Sequence, residues 1–325
     1  MTPLKFEQLY ERDWNELENA LQRLRNKRRE KQDEKPLSGE RIAELYRRTC
    51  EHLALARARS YPAHLVERLD RLTSDAHQAI YQHRELGLNR LYRLFAVEFP
   101  RAVRAHAPYV WVATAVFALP MLIIGLLVYY KPELVLSVVP PEMATMYEQM
   151  YSDEAESIGR RGAESDWVMF GLYIRNNIGI AFQCFASGLT VGIGSLFFLA
   201  YNGVFAGAVA GFLTEKGLSS TFYSFVVTHA AFELTAIVLS GAAGLRIGHA
   251  LLAPGRHARA QALVIAARES IVIVYGVAAM LLIAAGIEAF WSAARWIPNA
   301  VKYTVAAFSW TAVLLYLTVQ GRRAG

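Results

Sequence analysis

His229 and Glu233 stand four residues apart inside an apolar run that extends from Phe222 to Leu245. At the helical period that spacing puts the imidazole and the carboxylate on one face, where they can hydrogen-bond to each other or meet a partner helix together. Charged groups at membrane depth are costly, about 2.5–3.5 kcal/mol at a helix centre, so each ionisable side chain found there is a functional candidate. Three roles fit the pair. It can act as packing glue, since polar side chains bond across helices in membranes. It can be a proton or substrate relay. It can also ligate metal, because histidine and glutamate both bind zinc, although the sequence fixes no third ligand. His249 lies ~24 Å beyond Glu233 on the same helix, too far to join them unless the chain turns back.

Asn176, Asn177 and Asn202 flank apolar runs and read first as helix caps, because asparagine satisfies orphan backbone donors; lining a polar cavity with Arg175 is the alternative. Arg246, with Arg268 and Glu269 near the neighbouring helix starts, reads as an ion-pair cluster or as simple topology anchoring. Glu288 reads as interfacial. Glycines recur at mostly three- and four-residue intervals: Gly188, Gly192 and Gly194, then Gly203, Gly207 and Gly211, then Gly241, Gly244 and Gly248. Such small-xxx-small faces predict close helix packing.

These residues need helices to carry them. Pro108 to Tyr130 holds no charge and, at ~1.5 Å per residue, is long enough to cross a ~30 Å hydrocarbon core. Pro120 could kink it, and Tyr109, Trp111, Tyr129 and Tyr130 suit its interfaces. Further apolar runs follow at Ile178–Ala200, Gly203–Leu213, Phe222–Leu245, Ala262–Ala285 and Ala300–Val319. Gly203–Leu213 is expected to be a short or re-entrant element, at ~18 Å. If it crosses, the spans number six, and Arg246, Arg256, Arg259, Arg322 and Arg323 fall on the side of the basic N-terminal region, as the positive-inside rule favours. The stretch 131–166, with eight acidic residues against Lys131, Arg160 and Arg161, is then an external loop.

Residues 1–107 carry 21 of the 34 Lys and Arg and 16 of the 28 Asp and Glu, so they are highly charged but only mildly basic. Charge of both signs mixed along helical patterns is a solvated face and excludes nucleic acid as the expected partner. Thr2-Pro3 opens a helix with Phe6, Leu9, Trp14, Leu17, Leu21 and Leu24 on one stripe. Ser38 caps a second, with Ile42, Leu45, Tyr46, Thr49 and Leu53; a third, with Leu65, Leu69, Leu72, Ala76 and Ile80, is expected to run on through Leu88, Tyr92 and Phe95. Three apolar stripes predict a helical hairpin or bundle. No apolar core precedes Pro108, so the first span is expected to serve as the insertion signal.

Cys50 and Cys184 set up no disulfide framework. No nucleophile elbow, Walker loop, paired catalytic carboxylates or Cys-x-x-Cys pattern appears, so an enzyme is unsupported and no cofactor is implied.

The block from Tyr173 to Gly248 reads YIRNNIGIAFQCFASGLTVGIGSLFFLAYNGVFAGAVAGF, then THAAFELTAIVLSGAAGLRIG. With Asn176-Asn177, the Gly-rich run ending in Asn202-Gly203, and His229-Ala-Ala-Phe-Glu233 leading to Gly241, Gly244, Arg246 and Gly248, it resembles the stage II sporulation protein M family. The charged N-terminal third resembles the longer members found in Gram-negative bacteria. The resemblance implies an inner-membrane protein without an established enzymatic activity. The family's namesake is a membrane scaffold for peptidoglycan-degrading enzymes, a role not carried over to a chain with this N-terminus. The longer members tend to be encoded beside a MoxR-type AAA ATPase, a von Willebrand-factor-like protein and RDD-family membrane proteins.

The expectation is therefore an all-α polytopic protein: a cytoplasmic helical region over 1–107, then a membrane domain over 108–325 of about six transmembrane helices, one of them short or re-entrant. It is expected in the bacterial inner membrane with both termini cytoplasmic. The expected function is a scaffold or assembly factor of a cell-envelope or membrane-remodelling system, with a transporter, channel or lipid-handling protein built around His229 and Glu233 as the alternative. Expected partners are the lipid bilayer, a MoxR-type AAA ATPase or other membrane proteins, and further copies of the chain.

Overall fold

The computed structural model describes residues 1–26, 37–81, 87–152, 163–294 and 296–322. Among them every regular element is helical, and the chain divides into two units, Met1–Arg90 and Leu91–Gly325.

In the first unit α1 (Pro3–Asn26) starts at its proline, and α2 (Gly39–Ala58) is capped by Ser38, whose hydroxyl accepts from the Arg41 amide at 3.3 Å. With α3 (Ala63–Tyr81) they bury Phe6, Trp14, Leu17, Leu45, Leu65 and Leu69 in one core. Inside it Trp14 Nε1 donates to His52 Nδ1 at 3.1 Å. The Arg41 fork holds α2 to α1 through both carboxylate oxygens of Glu16, at 3.1 and 2.9 Å. Leu9 faces solvent, and Tyr10 packs on the core in its stead. The third stripe does not continue: α3 ends at Tyr81 and α4 (Leu88–Arg93) begins after Gly87, whose φ of 115° is closed to ordinary helix. Residues 82–86 and most of the charged run Arg23–Lys35 lie outside the described residues.

The second unit starts ahead of the first apolar run. After a π-helical turn (Leu94–Glu98), α5 (Phe99–Ala105) buries Phe99 and Val103, and the Phe99 ring occupies the space a side chain at Gly276 would need. Amphipathic α5 thus packs with the apolar helices, which is why the boundary precedes residue 107. α6 (Ala107–Tyr130) follows, with Pro120 inside it and Trp111, Leu119, Leu122, Ile123 and Leu126 exposed, as lipid-facing side chains would be. A 3₁₀ turn (Pro132–Ser137) and α7 (Pro141–Tyr151) give the acidic stretch regular structure. Asp153, Glu154, Glu156, Arg160 and Arg161 lie outside the described residues, and Asp166 already belongs to α8 (Ala163–Ala186).

The expected span Ile178–Ala200 does not exist as one helix. α8 ends at Ala186, a 3₁₀ turn (Ser187–Leu189) follows, and Val191 (φ 59°) with Gly192 (φ 86°) reverses the chain in left-handed backbone. The Thr190 hydroxyl accepts from the Gly194 amide at 3.0 Å and so satisfies one free donor of the next helix's first turn. That helix, α9 (Ile193–Glu215), has 23 residues and absorbs Gly203–Leu213, so the segment expected to be short or re-entrant is the second half of a full-length span. α10 (Ser219–Leu252), α11 (Arg259–Ile287, continued by a π-helical turn Glu288–Ser292) and α12 (Asn299–Val319) complete the unit.

Among the described residues five helices are long and apolar enough to cross a membrane: α6, α9, α10, α11 with its π turn, and α12. α8 equals α6 in length but carries Arg175, Asn176 and Asn177 at its middle. It is packed on α10, where Ser240 Oγ donates to the Ala181 carbonyl and Gly244 lies against the Cys184 carbonyl. α6 and α9 run parallel in backbone contact. A Cβ at Gly203, Gly207 or Gly211 would come within 2.2, 2.2 and 2.3 Å of the carbonyls of Phe117, Met121 and Gly125. Gly241 similarly admits the Leu199 side chain.

One end of the membrane unit gathers the α5–α6 junction, the α8–α9 turn and the last turns of α10 and α12. There Arg101 and Arg104 donate to the carbonyls of Gly321 and Leu317, each at 2.8 Å. The other end holds α7, where the Thr221 hydroxyl donates to the Tyr151 carbonyl at 2.7 Å, and Asn299 Nδ2 donates to Ser220 Oγ at 3.0 Å.

Candidate functional site

α10 carries His229 and Glu233 on one face, and their closest atoms, Nε2 and Oε2, are 3.5 Å apart. That is too long for a good hydrogen bond. The other ring nitrogen, Nδ1, bonds Ser292 Oγ at 3.1 Å, and Ser292 Oγ also bonds Thr228 Oγ1. Ser292 closes the π-helical turn at the end of α11, and Glu288 opens it. The wider turn brings Glu288 inward, so that one ligand-type atom from each of His229, Glu233 and Glu288 lies within 4.8 Å of the other two. His229 and Glu288 are buried, at 4% and 9% exposure. Short π-helical insertions of this kind recur at functional sites.

The surroundings leave this group incompletely satisfied. Glu288 Oε2 and Asn177 Nδ2 are buried and have no hydrogen-bond partner among the described residues. Asn177 lies on α8 against Glu288 and accepts from Asn176 Nδ2 at 3.0 Å. Lys302 of α12, also buried, donates to the Ser292 carbonyl at 2.8 Å. Tyr173, and Tyr151 at the end of α7, stand within electrostatic range of both carboxylates; burial pushes the Tyr151 phenol upward, which keeps it protonated. Two carboxylates this close in apolar surroundings repel each other unless a proton or a cation sits with them. The arrangement can hold either.

The remaining candidates fall elsewhere. Asn176 and Asn177 are in the interior of α8 and Asn202 in that of α9, so none is a cap; Asn202 Nδ2 instead donates back to the Phe198 carbonyl at 2.7 Å. Arg175 and Asn176 are exposed, whereas Asn177 is buried. Arg246 Nη2 pairs with Glu269 at 2.8 Å, and His106 Nε2 approaches the same carboxylate at 3.8 Å. Arg268 is exposed and forms no part of that pair. His249 stays remote from Glu233 because α10 is unbroken, and bonds the Tyr109 hydroxyl instead.

Sequence reasoning missed Glu288 and Ser292 at the main site and His106 at the ion pair. Glu288 was read only as interfacial, whereas the π turn carries its side chain into the bundle. Its one signal is a carboxylate within a long apolar segment, which by the cost of burial marks a candidate.

Long apolar helices packed through glycine faces, around ionisable groups withdrawn from lipid, define a polytopic helical membrane protein. The chain belongs to the stage II sporulation protein M family, whose model matches residues 113–293, more than half of its length. The match includes Asn177, His229, Glu233, Glu288 and Ser292. A second family model, described as a domain of unknown function (DUF8413), matches residues 4–82, within the N-terminal unit. Searches of curated proteins and of solved structures found no match.

Proposed function

We propose that the chain moves a proton or a cation across a bacterial cytoplasmic membrane through the His229–Glu233–Glu288 site. The observation that carries this reading is the second carboxylate. A pair serving as packing glue would be closed by a well-placed donor, whereas His229 and Glu233 are beyond good hydrogen-bond distance and buried Glu288 has only the Asn177 amide turned towards it, short of full hydrogen-bond geometry. Two carboxylates that can take up a proton or a cation suit exchange of that species.

Charge supports an orientation. Arg101, Arg104, Arg246, Arg256, Arg259 and Arg268 belong to the end that holds the α5–α6 junction, while Glu133, Glu142 and Glu148 belong to the end with α7. By the positive-inside rule the first end, where α5 leads into α6 and α12 finishes, is cytoplasmic.

A scaffold role has its own support in the N-terminal unit, which closes a core of its own and has its own family match. In that reading the unit recruits a cytoplasmic partner, such as the MoxR-type AAA ATPase that the resemblance implies, to a membrane anchor. The two readings are compatible. A structure of the full chain in lipid tests the first: ordered water reaching Glu233 from one face supports it, and a dry site sealed from both faces opposes it.

A further inference from the structure

We propose that His229, Glu233 and Glu288 form a binding site for one divalent first-row transition metal ion, with zinc as the fitting case, inside the membrane unit. The inference rests on the reading of this cluster as a cation or proton site and names the cation.

The geometry points to metal in four ways. Zinc bonds nitrogen and carboxylate oxygen at ~2.1 Å, which in a tetrahedron sets ligand atoms ~3.4 Å apart. His229 Nε2 and Glu233 Oε2 stand at 3.5 Å, a poor hydrogen bond but a good ligand edge. Next, His229 Nδ1 is held by Ser292 Oγ at 3.1 Å, and Ser292 is held in turn by Thr228. An Nδ1–H bond to the serine leaves the Nε2 lone pair facing the carboxylates, the usual orientation of a ligating imidazole. Third, Glu288 Oε2 is buried and meets no donor in full hydrogen-bond geometry among the described residues, with only the Asn177 amide turned towards its carboxylate, so the acceptor a cation would take is already desolvated. Finally, one neutral imidazole and two carboxylates match the charge of a divalent ion, which lowers the cost of holding it away from water, and the buried Lys302 ammonium is engaged by the Ser292 carbonyl at 2.8 Å.

The donor set also discriminates among ions. Calcium takes six to eight oxygen ligands, and magnesium keeps most of its waters. One imidazole with two carboxylates suits zinc, manganese or ferrous iron. Three protein ligands leave a fourth position on zinc for water or a carried anion.

The test uses the full chain in lipid nanodiscs, stripped with a chelator and dialysed separately against buffered zinc, manganese and magnesium. Bound metal is read by plasma mass spectrometry. About one zinc per chain is expected, manganese binding more weakly and magnesium not at all. Glu233→Gln and Glu288→Gln should each weaken zinc binding by at least ~100-fold, and Ser292→Ala by ~10-fold through the loosened imidazole. His257→Ala, on the loop between α10 and α11, should change nothing and so controls for adventitious surface histidine. Cobalt loaded into the unaltered chain should give the visible bands of a four-coordinate nitrogen–oxygen site, a readout that needs no variant to fold. Zinc retained at full stoichiometry by the Glu233→Gln/Glu288→Gln double variant overturns the assignment, as does less than a tenth of an equivalent in the unaltered chain. If zinc is absent but an infrared protonated-carboxyl band disappears in Glu288→Gln, the metal is refuted while the proton reading stands. Absence of both refutes both.

Discussion

Gly207 has no room for one more carbon. A Cβ there would lie 2.2 Å from the Met121 carbonyl oxygen, and backbone at both sides of the contact prevents an easy shift. Gly207→Val should therefore push α6 off α9 and destabilise the membrane unit by about 1–3 kcal/mol or more. Gly179→Ala, on a helix surface with nothing within 4 Å, should be neutral or stabilising by up to ~1 kcal/mol. Thermal unfolding of the two variants in one detergent checks the contrast; equal effects would show that the close approach is not what Gly207 provides. This contact was legible in the sequence because glycine spacing directly records a small face. The same is true of the His229–Glu233 face, which needs only the helical period. Glu288 was not legible as their neighbour. It arrives from another helix, and the π turn that aims it depends on packing against α8 and α10 and not on any local signal.

The N-terminal bundle was legible as an element set, since three apolar stripes separated by Pro36 and Pro62 leave little else to form. Its interior adds a pH dependence. Burial holds the His52 imidazole below its ordinary 6.5, opposed by the Asp13 and Glu51 carboxylates, and its Nδ1 must stay unprotonated to accept from Trp14. The unfolded chain therefore takes up a proton before the folded one does. The contribution to stability is present above pH 6.5 and is lost as the pH falls through the depressed folded-state value. For the fragment Met1–Arg90, the urea midpoint should be lower at about pH 5 than at about pH 7.5, and His52→Asn should flatten the difference. An unchanged midpoint in the native fragment would contradict the burial of a neutral imidazole. At the same scale about six spans were expected, and five helices among the described residues are long and apolar enough to cross, with α8 of full length but too polar at its middle to join them. Hydropathy joined Ile178 to Ala200 across a turn made from Ser187, Thr190 and Gly192, because those residues are small enough not to interrupt an apolar average. It also undervalued α8, whose Arg175, Asn176 and Asn177 lower that average although the helix is of full length.

At the scale of the whole molecule, the charge asymmetry of the two ends predicts that reporters after Gly39, in the Pro254-Gly255 loop and at the C-terminus all read cytoplasmic, and that one near Glu148 reads external. An external Pro254-Gly255 loop together with an external C-terminus would mean that α8 or α9 does not cross. The division into two units predicts a separation of labour: removing residues 1–90 should leave an inserted, stable membrane unit that no longer co-purifies its cytoplasmic partner. Partner recovery equal to that of the full chain would place recruitment in the membrane unit instead. The account as a whole turns on the acid pair. The most direct measurement is flux in sealed liposomes carrying the full chain and trapped pH- and zinc-sensitive dyes. The unaltered chain should move protons or zinc faster than protein-free liposomes, and Glu233→Gln and Glu288→Gln, incorporated to the same level, should fall to the protein-free rate. An unaltered chain no faster than protein-free liposomes, or a Glu233→Gln/Glu288→Gln double variant as fast as the unaltered chain, would contradict it.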